Sequence, residues 1–281
     1  MFLRRQFMTI KLVAFDMDGT FLNDQNTYNH QRFGEILQKL RAKDIHVAAA
    51  SGSQYQRLLN QFDEFNQEMD FVSQNGAVVH SAGQPLLVQE IPADAVKKTL
   101  DVINQQFAPS DIAEHLVVGY KSAYVDEKIS QAAFDMTYRY YNHLLRVPDL
   151  ATVTPKRLED QVTSIGVTFD SKVDFDAKMK SLREMLPLGL SSQTSGYNTE
   201  LISEDTVNKA AGLRELQKKY NVADDEIMTF GDNENDLPML KITPHSYAMQ
   251  NAEQKIKDQV AHVTDSNNDE GVLNVLEQIA S

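Results

Sequence analysis

A chain of 281 residues with no cysteine and a formal net charge of −13 excludes disulfides and thiolate metal sites. The acidic balance argues against a nucleic-acid or anionic-membrane surface, which needs a basic face. The length suits one large or two ordinary domains, and no apolar run approaches a membrane span.

The first part alternates in type. Ile10–Phe15 predicts a strand, Asn29–Lys43 an amphipathic helix with Phe33, Ile36, Leu37 and Leu40 at helical spacing, and Ile45–Ala50 a second strand. Gln54–Phe62 predicts a helix and Phe71–Ser73 a third strand, so right-handed βαβ units and a parallel sheet follow. Ala77–His80 and Leu86–Glu90 flank a turn and read as a hairpin. The middle has a different grain. Helices are expected at Ala93–Phe107, Ser130–His143 and Phe175–Leu186, and strands at Leu116–Gly119, Ala123–Asp126 and Ser164–Phe169. Alternation then returns. Helices are expected at Asn208–Tyr220, Asp236–Leu240, Ala252–Asp258 and Gly271–Ile279, and strands at Glu226–Phe230, Tyr247–Met249 and His262–Thr264. The fold class is α/β: a Rossmann-like parallel-sheet core, residues 1–83 and 192–281, with an inserted α+β domain at 84–191. Such an insertion is the expected form of a substrate-covering cap.

Asp16-Met17-Asp18-Gly19-Thr20 follows the apolar run Leu12–Phe15, and Gly231-Asp232-Asn233-Glu234-Asn235-Asp236 follows Met228–Phe230. Ligands in open α/β sheets bind at the carboxyl ends of such strands. Buried carboxylates need a partner, and two strand ends bearing them look like two walls of one metal site suited to Mg²⁺. The seven histidines, at 30, 46, 80, 115, 143, 245 and 262, form no metal-like pair on one helix face, so zinc is not expected. Ser51-Gly52 and Lys209 can converge on the same strand ends. A carboxylate can attack phosphorus, a second acid can serve the leaving oxygen and then water, and a lysine, a hydroxyl and backbone N–H groups can hold phosphoryl oxygens. Singly, each piece has an ordinary use: Ser51-Gly52 as an N-cap, Lys209 as a solvated charge, Asp232–Asp236 as an acidic loop. Their order together carries the inference.

These motifs, with Ala50-Ser51-Gly52, Asn75-Gly76-Ala77, Asn208-Lys209-Ala210, Tyr247–Ala252 and Asn268–Val272, resemble the haloacid dehalogenase superfamily. The likeness runs from about Met8 and is to the Cof-type subgroup with a class IIB cap, nearest to bacterial sugar phosphatases. The resemblance implies Asp16 as nucleophile and Mg²⁺ ligand. It implies Asp18 as general acid/base giving its carbonyl to the metal, and Asp232 as the third ligand. Met17, Ser51, Gly52, Lys209 and Asn235 become phosphate contacts, and Gly19, Thr20 and Asp236 supporting residues. Two departures stand out: Ser53 where many relatives carry Arg, which removes a cationic contact, and Gln250 where Gly is usual.

Specificity should come from the inserted domain. Asn75 and Glu200 are candidate substrate contacts, as are Ser122, Tyr124 and Tyr197, while Tyr138–His143 reads as a half-exposed helix face. The stretch Ser122–Val125 and Thr194-Ser195-Gly196 also resemble sugar phosphatases. The expected protein is a cytoplasmic, Mg²⁺-dependent phosphatase for small phosphorylated metabolites, sugar phosphates first. It has no signal peptide, no membrane or nucleic-acid partner and no evident protein partner; Met8 offers an alternative start to residues 1–7. The alternatives are a pyridoxal phosphate or flavin mononucleotide phosphatase, a phosphosugar mutase, and a non-catalytic sugar-phosphate sensor.

Overall fold

The structure is a computed structural model that describes residues 10–194 and 198–281. Residues 1–7 and Met8, and the candidates Ser195, Gly196 and Tyr197, lie outside the described residues. The strands run β1 Leu12–Phe15, β2 His46–Ala50, β3 Asp70–Ser73, β4 Val78–Ser81, β5 Gln84–Val88, β6 Ile112–Gly119, β7 Ala123–Asp126, β8 Leu144–Val147, β9 Val162–Phe169, β10 Leu190–Thr194, β11 Thr199–Glu204, β12 Ile227–Gly231, β13 His245–Met249 and β14 His262–Thr264. The helices run α1 His30–Arg41, α2 Tyr55–Gln61, α3 Ala93–Gln106, α4 Gln131–Tyr138, α5 Pro155–Leu158, α6 Phe175–Met185, α7 Lys209–Tyr220, α8 Leu237–Leu240, α9 Gln254–Lys257 and α10 Gly271–Ala280.

The contacts divide the chain into two units, 1–87 with 208–281, and 88–207. The first holds one sheet in the order β14-β13-β12-β1-β2-β3-β4-β5, parallel from β14 to β3 and turning antiparallel at β4. β1 shows why this sheet is buried on both faces. Leu12 and Ala14 join Ala48, Leu213 and Leu216 on one face, while Val13 and Phe15 join Val47, Phe33 and Leu276 on the other. A period of two on an unbroken apolar run needs an apolar layer on each side. α1 supplies one from Phe33, Ile36, Leu37 and Leu40, and starts where Asn29 accepts the Arg32 N–H at 3.1 Å. α7 lies in the opposite layer.

The chain order places the site. β1 leads through β2 to β3 on one side, while β12, β13 and β14 extend the other, so the direction of winding reverses at β1. Phe15 is in register with both Phe230 and Ala49, and the residues that follow each strand emerge side by side. Phe21 stacks back on Phe15 at 4.3 Å and pins the loop that carries the first acidic motif over its own strand end.

The second unit has a sheet in the order β10-β11-β9-β6-β7-β8, antiparallel except for β7 with β8. α3 and α6 cover one face, through Val96, Leu100, Ile103 and Leu182; Phe134 of α4 packs on the other beside Leu116 and Val118. Both of its limits differ from the expected 84 and 191: residues 84–87 fall in the first unit, with β5 at the edge of the first sheet, and the second unit runs to 207. β11 pairs with β9, Glu200 opposite Val167, and β10 pairs with β11, so these two strands complete this sheet. The half-buried, polar Leu190–Thr194 carries little alternation to betray a strand. The helix expected over Ser130–His143 stops at Tyr138; Tyr138 and Tyr140 are exposed, Tyr141 packs on the sheet, and β8 follows. Among the described residues, no helix is long and apolar enough to cross a membrane.

Candidate active site

Four strand ends build the site. From β1 comes Asp16, 7% exposed, whose N–H reaches Phe230 O at 3.1 Å. From β12 come Asp232 and Asp236. Lys209, the first residue of α7, is fully buried; its Nζ donates to Asp16 Oδ1 and, at 2.6 Å, to Asp236 Oδ1. Asn208 starts that helix by accepting the Ala211 N–H at 2.9 Å, which fixes where Lys209 begins its reach.

Oxygens of Asp16, Asp232 and Asp236 lie within 4.8 Å of one another. The three carboxylates are not equivalent. Asp236 spends Oδ1 on Lys209 and Oδ2 on the N–H groups of Asp232 and Asn233, each at 3.0 Å, so it braces the loop. Asp232 takes the Thr20 hydroxyl on Oδ1 at 2.7 Å. Gly19 lies against it at φ +81°, and a Cβ there would sit 2.6 Å from Asp232 Oδ2, so a side chain is excluded by both backbone and space.

Burial pushes the Asp16 carboxyl well above its usual range, with the charges of Asp236 and Asp232 adding to it and Lys209 opposing. Burial and Asp236 push Asp232 up to about 6. Burial alone would lower the Lys209 ammonium, but Asp16 and Asp236 outweigh it and hold it above its usual value. Three carboxyl groups thus share one ammonium, an acidic excess with oxygen donors around it. That donor set and charge suit one hard divalent cation such as Mg²⁺.

The second wall comes from β2 and β3. Ser51, 2% exposed, is held by its N–H on Val72 O at 2.8 Å and accepts the Ser53 N–H on Oγ at 3.0 Å. After β3, Gln74 and Asn75 take φ of +50° and +53°, the left-handed region that few residues with side chains adopt. The bend lets Asn75 Oδ1 accept from Asn235 Nδ2 at 3.3 Å, and it lies 3.2 Å from where a Gly52 Cβ would be. Asn75 is thereby tied to Asn235 and packs closely against Gly52.

Met17, 1% exposed, sends its side chain into the apolar core. The Asp18 carboxylate is half exposed and is gripped by Arg57 of α2, NH2 to Oδ1 at 2.6 Å and NH1 to Oδ2 at 2.7 Å. Arg57 NH1 also donates to Ser53 Oγ at 2.6 Å, so a cation reaches this loop from the first turn of α2 although Ser53 itself carries none. Arg57 escaped the sequence reading because nothing in a Gln-Arg-Leu stretch marks which strand end it faces. Asn251 was also passed over although its motif was quoted: its Nδ2 donates to Gly19 O at 2.8 Å and its Oδ1 accepts the Asn267 N–H at 3.1 Å.

In the second unit, Glu200 is fully buried and engaged by Arg183 at 3.0 Å, the Thr194 hydroxyl at 2.5 Å and Ser192. The structure therefore corrects the expectation of a carboxylate held open for substrate hydroxyls: an isolated buried carboxylate is costly, and here its partners come from its own domain. The Tyr124 hydroxyl is likewise committed to Asp160 at 2.9 Å, and the Ser122 N–H donates to the same carboxylate at 3.1 Å.

Comparison with known proteins identifies the family. The family described as haloacid dehalogenase-like hydrolase matches residues 13–276. The 5-amino-6-(5-phospho-D-ribitylamino)uracil phosphatase YbjI of Escherichia coli (strain K12) is 35% identical over 273 residues, 97% of each chain. The crystal structure of SMU.1108c from Streptococcus mutans UA159 superposes with a TM-score of 0.87 at 28% identity, over 97% of this chain and 100% of that one. The HAD subclass IIB sugar phosphatase BT4131 shares the fold, with a TM-score of 0.77 at 18% identity over 95% of this chain and 98% of its own. The family match spans nearly all of the sequence, and the chain belongs to the haloacid dehalogenase-like hydrolases.

Proposed function

We propose that this phosphoric monoester hydrolase is a Mg²⁺-dependent phosphatase that works through an aspartyl-phosphate on Asp16 and acts on a phosphorylated ribityl or sugar chain. The observation that carries the reading is the Lys209 ammonium shared by Asp16 and Asp236, with Asp232 alongside. Asp16, the Asp18 carbonyl and Asp232 would hold the ion, which when bound offsets the negative charge of the phosphoryl oxygens so that an anionic nucleophile can approach.

An Asp16 carboxylate oxygen attacks phosphorus, and the bond from phosphorus to the substrate oxygen breaks. The departing alkoxide takes a proton from Asp18. Asp18 then removes a proton from water, whose oxygen attacks the same phosphorus, and Asp16 leaves as carboxylate with free phosphate. Lys209 keeps the Asp16 carboxylate oriented between turnovers. Ser51, the N–H groups of Met17 and Gly52, and the Asn235 amide hold the non-reacting oxygens.

For the substrate, 5-amino-6-(5-phospho-D-ribitylamino)uracil takes precedence over a simple sugar phosphate. The support is 35% identity to YbjI along whole chains, against 18% to BT4131. Both substrates are alkyl phosphates whose leaving group departs as an alkoxide, so the core chemistry is common to them. The proposed setting is the cytoplasm, with the enzyme acting on a small molecule without a protein partner.

The test is phosphate release from the ribitylaminouracil phosphate, ribose 5-phosphate, glucose 6-phosphate, flavin mononucleotide and pyridoxal phosphate, with Mg²⁺ and with a chelator. Mg²⁺-dependent release that Asp16→Asn lacks is expected. Release that survives in that variant overturns the nucleophile, and isomerised sugar phosphate without free phosphate turns the reading to a mutase.

A further inference from the structure

Asp18 has to point at the bond being broken, yet its side chain is half exposed on a surface loop, where a carboxylate normally samples several rotamers. Here it does not stand alone. The Arg57 guanidinium meets it as a fork, NH2 to Oδ1 at 2.6 Å and NH1 to Oδ2 at 2.7 Å. A bidentate fork fixes the plane of a carboxylate as well as its distance.

Arg57 is itself placed by the fold. It lies on α2, its side chain is 8% exposed, and NH1 also donates to Ser53 Oγ at 2.6 Å. Ser53 in turn donates its N–H to Ser51 Oγ at 3.0 Å, and Ser51 is anchored to β3. A continuous chain of bonds thus runs from the β2 strand end, which carries the proposed phosphate contacts, to the carboxylate on the β1 loop.

We propose that Arg57 is a positioning residue for the proposed acid/base: it sets the direction of the Asp18 carboxylate relative to the leaving oxygen, with Ser53 setting Arg57. This rests on the phosphatase reading above and deepens it. Arg57 touches neither substrate nor phosphorus in this account; it acts through Asp18. A guanidinium is required because a lysine presents a single point charge and leaves the carboxylate free to rotate.

The consequence depends on the leaving group. An alkoxide cannot depart without a proton, whereas p-nitrophenolate needs none. Misdirecting Asp18 therefore slows alkyl esters in a step that aryl esters skip. The experiment measures kcat/KM, which covers the steps through departure of the leaving group, for the fastest alkyl phosphate of the panel and for p-nitrophenyl phosphate. Arg57→Ala is expected to lose about 100-fold on the alkyl ester, the scale of a 1 Å misplacement, and less than about tenfold on the aryl ester. Arg57→Lys should keep the same bias at a smaller loss. Ser53→Ala, which retains the charge and removes only its anchor, should lose about threefold to tenfold on the alkyl ester alone, and it serves if Arg57→Ala does not fold. Millimolar guanidinium should restore part of the alkyl activity of Arg57→Ala.

Equal losses on the two esters would show a merely structural arginine and overturn the proposal, as would an unchanged alkyl rate in Arg57→Ala. If the unmodified enzyme shows no Asp16-dependent turnover of any ester, the phosphatase reading itself fails, and that result is in hand before any Arg57 variant is compared.

Discussion

Lys209 and Asp236 form an ion pair at 2.6 Å in which neither side chain has any exposed surface. A pair so placed contributes little as a whole, because desolvation offsets the attraction, but losing one member leaves an uncompensated charge. Asp236→Ala should therefore destabilise the fold by about 3–5 kcal/mol, since it also strands the N–H groups of Asp232 and Asn233. Urea unfolding checks this; a midpoint close to that of the unmodified protein would mean that Lys209 finds sufficient compensation in Asp16.

Asp16→Asn should behave differently. It keeps the shape, removes one charge from a group that burial and its acidic neighbours already disfavour as an anion, and leaves Lys209 with Asp236. Turnover is expected to vanish while the melting temperature holds within a few degrees. A collapse of the fold would show that Asp16 is needed for assembly as well as chemistry.

Mg²⁺ should raise the melting temperature in the absence of substrate, because a ligand of the native state alone stabilises it by mass action. Asp232→Asn should abolish that shift. A shift unaffected by the substitution would put the ion elsewhere.

Gly19→Ala tests the tight fit beside Asp232. The new methyl would sit 2.6 Å from Asp232 Oδ2 at φ +81°. Strain of about 1–3 kcal/mol and a displaced carboxylate are expected. Activity should fall by at least tenfold, with the Mg²⁺ dependence moved to higher concentration; kinetics across a Mg²⁺ series reads both.

His80, buried and stacked on Tyr55 at 3.5 Å, is held down to about 4 by burial, from 6.5 when unfolded. A base with a depressed folded value binds fewer protons folded than unfolded between those limits, so the unfolded state gains as pH falls through that window. Its contribution is intact above pH 6.5 and lost on the way to pH 4. Allowing for screening by nearby water, His80→Phe should remove about 1–2 kcal/mol of the stability difference between pH 7 and pH 5. Urea midpoints at the two pH values for both proteins decide it; parallel changes would assign the acid sensitivity to other groups.

The parallel core was legible because its signals are local. Leu12–Phe15 is apolar without a break, and Phe33, Ile36, Leu37 and Leu40 repeat at the helical period, so strand and helix announce themselves within a dozen residues. The acidic motifs were equally plain, since a carboxylate cluster after a buried strand is rare without a use. The end of the inserted domain was not legible. Glu200 sits in a strand whose partners lie some thirty residues away in β9, and its burial depends on Arg183 and Thr194.

The sequence by itself marked most elements of the parallel core, the two-part organisation and Asp16, Lys209, Asp232 and Asp236 as candidates, because periodicity and motif spacing are properties of adjacent residues. Only the tertiary structure decided which groups meet. That Lys209 reaches Asp236, that Arg57 grips Asp18, and that Arg183 seals Glu200 in its own domain all depend on side chains brought together from separate elements. Such contacts are set by strand order and by the direction in which a helix leaves its sheet, and a sequence carries no local mark of either.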